Sequence, residues 1–386
     1  MKKTNNRNKV IVVSAVNLIE GGTLNILLNF LVYLKSRSDL KVILLLNPLI
    51  KLQTEKFHSF KKVYFSYPKK SWFLRLIFEY GHSYTISKSI KPDIWISLHD
   101  ITPFIDRKIV SCVYCHNPSP FHYLRIRDFW NLKFVLFCLF YRYLYGINIH
   151  RNFKVIVQQD WIREKFETLY NLKNILVCRP DLLVYKGKKP LKKNIGTKEK
   201  PLKFIYPSLL RTFKNFEIII DAFIELENLG YTDKKVSIDL TISPKGSLYS
   251  RFLFRRAKNC SLIKFVDKIE NIEVINRFQR GSHLIFPSLL ETWGLPLTEA
   301  RNCGSLILAA DLPYSRETLR GYNKVFYFDP NNKYELVDAV ISCLNKRPYN
   351  SRSKERNEKL NKENVGWDKM LHVLEEEVHK KESFDG

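Results

Sequence analysis

From residue 10 to about 180, short apolar runs rich in β-branched residues alternate with longer stretches of helical period. Val10–Val16, Val42–Leu46, Ile94–Leu98, Val110–Tyr114 and Val155–Val157 read as strands. They are continuously apolar rather than alternating, the pattern of strands buried on both faces of a parallel sheet. Asn25–Ser36 places its apolar residues on one face and reads as a helix. Tyr185–Lys200 then carries seven lysines and two glycines without any period, the signature of a linker. Beyond it the pattern restarts. Phe204–Tyr206, Val236–Ile242, Leu284–Phe286, Leu306–Ala309 and Val325–Phe328 read as strands, with helices at Phe216–Gly230 and near Tyr334–Leu344. Strand–helix alternation in both halves predicts an α/β protein of two doubly wound domains, with a ligand cleft between them at the carboxyl ends of the strands. The expected division is 1–184, a linker at 185–200, 201–363, and a C-terminal helix and tail at 364–386. Asn364–His379, with Trp367, is the amphipathic part of that last segment and is expected to pack back on the N-terminal domain.

Charge adds an asymmetry. The 386 residues hold 64 Lys and Arg against 38 Asp and Glu, a formal +26. Residues 1–180 contain 28 of those cations and only 11 of the acids, whereas 201–386 contain 29 and 25. A uniform compositional bias would charge both halves alike. The uneven placement points to a basic surface on the first domain, suited to phosphorylated substrates, an anionic membrane or nucleic acid.

Targeting signals are weak. Lys2, Lys3, Arg7 and Lys9 before Val10–Val16 imitate a secretory leader, but Asn17 and Glu20 interrupt the run and Gly21-Gly22 follows. A first strand entering a glycine turn is the better description, and a cytoplasmic protein is expected, peripheral on the inner membrane face. The most lipid-like stretch is Phe129–Tyr145. Its uninterrupted apolar part, Phe134–Tyr141, falls well short of the about 20 residues a spanning helix needs. Its aromatics suit either a helix at a membrane interface or a helix of the core. Seven scattered cysteines fit reduced thiols. Cys112-Val-Tyr-Cys115-His116 matches a haem-attachment pattern, but it lies in an apolar run that reads as a buried strand.

The segment with the most chemistry is Phe286-Pro-Ser-Leu-Leu-Glu291-Thr-Trp-Gly-Leu-Pro-Leu-Thr-Glu299. A strand ends at Pro287, Gly294 permits close backbone approach, and Pro296 suits the first turn of a helix. The N–H groups of such a helix can hold a phosphate, and carboxylates beside it suit sugar or ribose hydroxyls. Helix capping by ordinary acids would give a similar pattern. No Asp-x-Asp, P-loop or G-x-G-x-x-G motif is present, nor a cluster of zinc-site spacing, so neither a metal nor another cofactor is expected.

Glu291-x7-Glu299 enclosing Gly-Leu-Pro, after Phe-Pro-Ser, resembles the E-x7-E signature of the family 4 glycosyltransferases, which are retaining enzymes of the GT-B fold. Leu306–Pro313, Pro207-Ser-Leu-Leu-Arg211-Thr-Phe-Lys214-Asn and Trp367 extend the resemblance across about 201–370. It implies that Glu299 binds the donor ribose, that Glu291 binds the transferred sugar, and that Arg211 and Lys214 hold the diphosphate. Thr292, Gly294, Leu295 and Pro296 would complete the donor loop, with base contacts near Phe265–Ile272. In the first domain the resemblance assigns Gly21 and Gly22 to the loop approaching the donor phosphate, and His116 to the donor sugar and reacting centre, with His122 close by in sequence. One departure stands out. Many members carry arginine five residues before the lysine, where this chain has Leu209, and the arginine lies three before instead.

The resemblance thus implies a metal-independent glycosyltransferase that moves a sugar from a nucleotide diphosphate sugar to a growing, lipid-linked glycan in surface polysaccharide assembly such as O-antigen or capsule. Two other classes fit parts of the sequence. A nucleotide-sugar epimerase would share the fold but need no acceptor. A basic nucleic-acid-binding protein would account for the charge, yet leaves Glu291 and Glu299 without purpose and lacks an RNA-binding signature, so nucleic acid is not an expected partner.

Overall fold

The computed structural model describes residues 8–50, 54–179, 201–243, 246–345 and 366–385. The expected linker at 185–200 lies outside them. The chain divides into two compact units. The first holds Met1–Pro120, Leu139–Val184 and Asn361–Gly386, and the second Phe121–Cys138 and Tyr185–Leu360. Residues 121–138, which the sequence places with the first domain, therefore cluster with the second.

The first unit contains β1 (Lys9–Ser14), β2 (Leu40–Leu46), β3 (Lys61–Tyr64), β4 (Ile94–Ser97), β5 (Val110–Cys115), β6 (Lys154–Val157) and β7 (Ile175–Val177). They form one sheet in the order β3-β2-β1-β4-β5-β6-β7, with every pair parallel. Its helices are α1 (Gly21–Lys35), α2 (Trp72–Ile77), α3 (Ser83–Ile90) and α5 (Asp160–Tyr170), while α4 (Leu132–Gly146) has residues in both units. The five strands read from the sequence are the central ones, and β4 and β5 are buried throughout. The two that escaped it, β3 and β7, are short edge strands, and β3 presents Lys61 and Lys62. The lysines of β3 guard that edge against pairing with other chains and for the same reason deprive it of an apolar signal, whereas β7, Ile175–Val177, is apolar but only three residues long. Cys112 and Cys115 lie inside β5, fully buried.

The second unit contains β8 (Leu202–Tyr206), α6 (Phe216–Asn228), β9 (Val236–Leu240), α7 (Leu248–Ala257), β10 (Ile263–Phe265), α8 (Asn271–Gln279), β11 (His283–Phe286), α9 (Leu295–Asn302), β12 (Ile307–Ala310), α10 (Pro313–Thr318), β13 (Val325–Phe328) and α11 (Lys333–Leu344). Its six parallel strands run in the order β10-β9-β8-β11-β12-β13. Both sheets thus reverse direction once, at β1/β4 and at β8/β11, as doubly wound sheets do.

The last helix, α12 (Trp367–Asp385), belongs to the first unit. Trp367, Met370, Leu371, Leu374 and Val378 form one helical stripe inside the core that α1 and the sheet share. The Trp367 ring lies 4.7 Å from Phe30 and 5.6 Å from Tyr114 between centroids. Arg37 on the α1 side reaches Glu375 at 2.7 Å.

One expectation is corrected. The helical run 126–151 is, among the described residues, long and apolar enough by length and composition to cross a membrane. Counting only the uninterrupted apolar stretch had excluded this. Lys133 and Arg142 break that stretch without breaking the helix. Only 28% of its most apolar window is buried, so it is not an ordinary core helix. Yet Tyr141 and Tyr145 are buried and donate hydrogen bonds to Asp100, so this end of α4 is anchored by polar contacts to the first unit.

Replacing Trp367 with alanine removes the largest side chain of this contact. A loss of about 3–5 kcal/mol is expected in urea unfolding followed by first-unit probes.

Candidate active site

In the second unit, the connections leaving β8 and β11 diverge from adjacent strand ends, the place where open α/β sheets bind ligands. After β8 the chain passes Arg211 into a 3-10 turn, Thr212–Lys214. The Tyr206 hydroxyl donates to the Lys214 carbonyl at 2.8 Å. Asn215 follows with φ of 57°, a left-handed conformation that asparagine tolerates better than most residues, and opens α6. After β11 the loop 287–294 carries Glu291. The Leu289 N–H donates to the Phe213 carbonyl at 2.8 Å, which ties the two loops together. The Lys214 ammonium then forms a hydrogen-bonded ion pair with Glu291. Both side chains are largely but not fully buried, so each charge depends on the other while remaining reachable.

Gly294 caps α9 with φ of 76°. A Cβ there would meet Leu297 at 3.0 Å and Phe286 at 3.2 Å, so glycine is required both by conformation and by space. Pro296 sits in the first turn of α9, while Thr292 and Leu295 are half-buried on the same loop. Trp293 is fixed at both ends: its Nε1–H donates to Thr298 Oγ1 at 2.9 Å and its carbonyl accepts from Thr318 at 2.7 Å.

Glu299 lies in α9 and accepts a hydrogen bond from Asn271 Nδ2 at 2.6 Å. Asn271 opens α8, within the Phe265–Ile272 region expected near the base. Burial raises the Glu299 carboxyl above its usual range, partly offset by Asn271. The two acids of the motif therefore have separate partners, one cationic and one neutral. Arg211 is exposed, and its guanidinium has no hydrogen-bond or ion-pair partner among the described residues. The structure thus brings Lys214 and Glu291 together and leaves Arg211 outside that contact.

A second set of residues was missed by sequence reasoning. Asp128, almost fully buried, accepts from Thr212 Oγ1 at 2.7 Å and from the Arg125 N–H at 2.8 Å, and pairs with His122 at 2.8 Å. Burial alone would raise this carboxyl, but the hydrogen bonds from His122, Arg125 and Thr212 hold it below the usual range. Nearby, Arg127 donates to Asn215 Oδ1 at 2.9 Å. Segment 121–138 therefore fastens the turn that carries Lys214. The available signal was that Asp128 is the one acid between Asp106 and Asp160.

In the first unit, Gly21 and Gly22 are exposed at the start of α1, with Gly21 at φ of 68°. His116 follows β5 and is buried. Burial lowers its pKa, with Asp100 opposing. Asp100, itself at φ of 73°, accepts the His116 N–H at 2.7 Å, the Asn117 N–H at 3.1 Å and the Tyr145 hydroxyl at 2.9 Å. The His116 Nδ1 is buried without a hydrogen-bond partner among the described residues. His122, its neighbour in sequence, belongs to the other unit. Deeper in the first unit, Arg75 pairs with Glu79 at 2.6 Å, and His99 joins Glu79 at 3.4 Å and Ser14 at 2.7 Å. Complete burial pushes the Glu79 carboxyl up to about 7 against the pull of Arg75.

Residues 187–360, less than half of the chain, match the family model described as "Glycosyl transferases group 1". No curated protein matches the sequence. Among solved structures the chain is similar to sucrose-phosphate synthase (tll1590) from Thermosynechococcus elongatus, with TM-score 0.67, 12% identity, and coverage of 96% of this chain and 98% of that one. It is similar to the lipopolysaccharide outer core galactosyltransferase WaaB, with TM-score 0.61, 14% identity, and coverage of 95% and 98%. It is also similar to Anabaena Alr3699/HepE, solved in complex with UDP-glucose, with TM-score 0.60, 13% identity, and coverage of 96% and 99%. At such identities the likeness is one of fold. The fold is GT-B, with two Rossmann-like doubly wound domains. The second of them carries a glycosyltransferase group 1 domain, which supports a glycosyltransferase.

Two outcomes follow from these contacts. Asp128→Ala strips acceptors from buried His122 and Thr212 and is expected to cost about 1–3 kcal/mol, read by denaturant unfolding of the second unit. A carboxyl raised by burial stabilises the fold while the native state alone keeps its proton. Stability is therefore expected to fall as pH rises from about 4.5 to about 7, by up to about 3 kcal/mol. Glu79→Gln, although less stable throughout, should flatten that slope in pH-dependent unfolding.

Proposed function

We propose that the protein is a retaining glycosyltransferase that moves a sugar from a nucleoside diphosphate sugar to a lipid-linked glycan in surface polysaccharide synthesis, working at the cytoplasmic face of the membrane. The observation that carries this reading is the Lys214–Glu291 pair beside the Gly294-capped start of α9, at the strand-order reversal of the second unit.

A diphosphate leaving group gains negative charge as the bond from the sugar anomeric carbon to its oxygen breaks. Lys214 supplies a fixed cation for that charge, and the first N–H groups of α9 supply partial positive charge, with no metal called on. Arg211, which pairs with no carboxylate among the described residues, adds a second cation that turns toward phosphate. Glu291, held by Lys214, accepts hydrogen bonds from the sugar hydroxyls and orients the ring. Glu299 accepts from the ribose hydroxyls, with Asn271 fixing the carboxylate. Thr292, Leu295 and Pro296 shape the donor loop. The acceptor oxygen forms the new bond on the face the diphosphate leaves, and its proton passes to the departing phosphate oxygen. His116, with its orphaned Nδ1 and its backbone held by Asp100, is assigned to the donor sugar, and Gly21 and Gly22 to the donor phosphate. The HepE complex with UDP-glucose, a similar fold, favours a nucleotide sugar as donor.

The reading is tested by metal-free thermal shifts with UDP, GDP, dTDP, ADP and CMP. One diphosphate should stabilise the wild type, and Glu299→Ala should lose most of that shift. Because burial raises Glu299, nucleotide affinity should decline on acidification at a higher pH than an ordinary carboxylate would give, and Glu299→Gln should remove that step. Lys214→Ala should cut turnover about 100-fold or more, with EDTA without effect on the wild type. Absence of nucleotide binding would overturn the assignment. Release of an epimerised sugar nucleotide without acceptor would make the protein an epimerase.

A further inference from the structure

Large apolar side chains scattered singly over a surface are ordinary, but a contiguous group of them is not. Such a group lies on the first unit. At the start of α2, Phe73 is 72% exposed, and Trp72 and Ile77 are exposed beside it. On α4, Leu139, Phe140 and Tyr143 are exposed at helical spacing, with Ile147 just beyond its end, while Tyr141 and Tyr145 on the other side are buried. The Trp72 ring packs edge-on against Tyr141 at 5.8 Å, which brings the start of α2 onto α4 and joins the two sets.

The charges on the exposed parts of these two segments are of one sign. Lys69 and Lys70 immediately precede α2 and are exposed, and Arg142 projects between the aromatics of α4, its guanidinium 4.9 Å from the Tyr143 ring. No acid occurs between Glu55 and Glu79, or between Asp128 and Asp160. The acids beneath are turned inward: Glu79 is buried on Arg75, and Asp100 is committed to backbone N–H groups and tyrosine hydroxyls. A protein partner would be expected to find polar groups of both signs at the rim. Aromatic and aliphatic side chains interleaved along their own segments with cations and no exposed acid instead match the layering of a bilayer, with apolar rings at the acyl boundary and ammonium groups among the phosphates.

We propose that the start of α2 and the outer face of the C-terminal part of α4 form one docking face for an anionic lipid bilayer. Phe73 and Phe140 enter the interface, and Lys69, Lys70 and Arg142 lie at headgroup level. The helix rests on the membrane rather than crossing it, because Tyr141 and Tyr145 remain bound to Asp100. The inference deepens the lipid-linked reading of the proposed function, and it can fail or hold separately from nucleotide binding.

The test is co-sedimentation of the full chain with phosphatidylcholine vesicles, with and without phosphatidylglycerol, at low and high salt. The variants are Lys69→Glu/Lys70→Glu and Phe73→Ser/Phe140→Ser, with solution mass and nucleotide thermal shift measured on each. The wild type should bind only the anionic vesicles and release at high salt. At about fivefold per cation, the double charge reversal should weaken binding at least 25-fold. The double serine variant should weaken it at least tenfold. Both should keep the nucleotide shift, which reports an intact fold. Failure of the wild type to bind anionic vesicles at low salt overturns the proposal, as do variants that bind like the wild type. A wild-type dimer that Phe73→Ser/Phe140→Ser converts to monomer would also overturn it and assign the face to a second copy. Vesicle binding without any nucleotide shift would leave the docking face standing while the donor reading fell.

Discussion

Parallel strands buried on both faces must send their connections over the faces of the sheet, and this constraint underlies both units. Where strand order reverses, neighbouring strands send their chains away on opposite sides, and their carboxyl ends are left uncovered. At β8 and β11 that uncovered place receives Lys214 and Glu291, which lie 77 positions apart in the chain. Neither residue is placed by its local sequence alone. The two meet because the strands that precede them end side by side.

The legible parts of the sequence were those with one local cause. Central strands announce themselves because burial on both faces demands unbroken apolar runs. β3 and β10, by contrast, place lysines among few residues at a sheet edge, and β7 is three residues long. Gly294 and Pro296 were legible because a left-handed turn into a helix restricts the choice of residue. Asp128 and His122 were not. Their contact with Thr212 spans 84 positions, and nothing in a short window marks a loop that will pack on a distant turn. The aromatic run of α4 was ambiguous for a physical reason as well: one side of the helix is core and the other is surface, and both are apolar.

The ionisable groups of the first unit fall into two populations that net charge conceals. One is sunk beneath the strand ends and satisfied internally, as with Arg75, Glu79, His99 and Asp100. The other is exposed and free to respond to its surroundings, cationic across Lys56–Phe78 and Phe129–Gln159 but carrying the acids Asp368, Glu376 and Glu382 on α12. The second unit is no less basic, with 35 Lys and Arg against 20 Asp and Glu, and its Lys214–Glu291 pair is only part-buried. The formal +26 is thus shared by both units, and the unpaired exposed cations are the part of it that can attract a distant polyanion.

Helix α12 completes the core of the first unit with residues that follow the whole of the second unit's sheet in the chain. During synthesis from the N-terminus, Phe30 and Tyr114 leave the ribosome about 340 and about 250 residues before Trp367 arrives to cover them. The second unit, encoded almost wholly in between, has all its strands available earlier. The unit begun first is therefore completed after the other, and until α12 has emerged its apolar groove stands open to whatever chaperone waits at the exit.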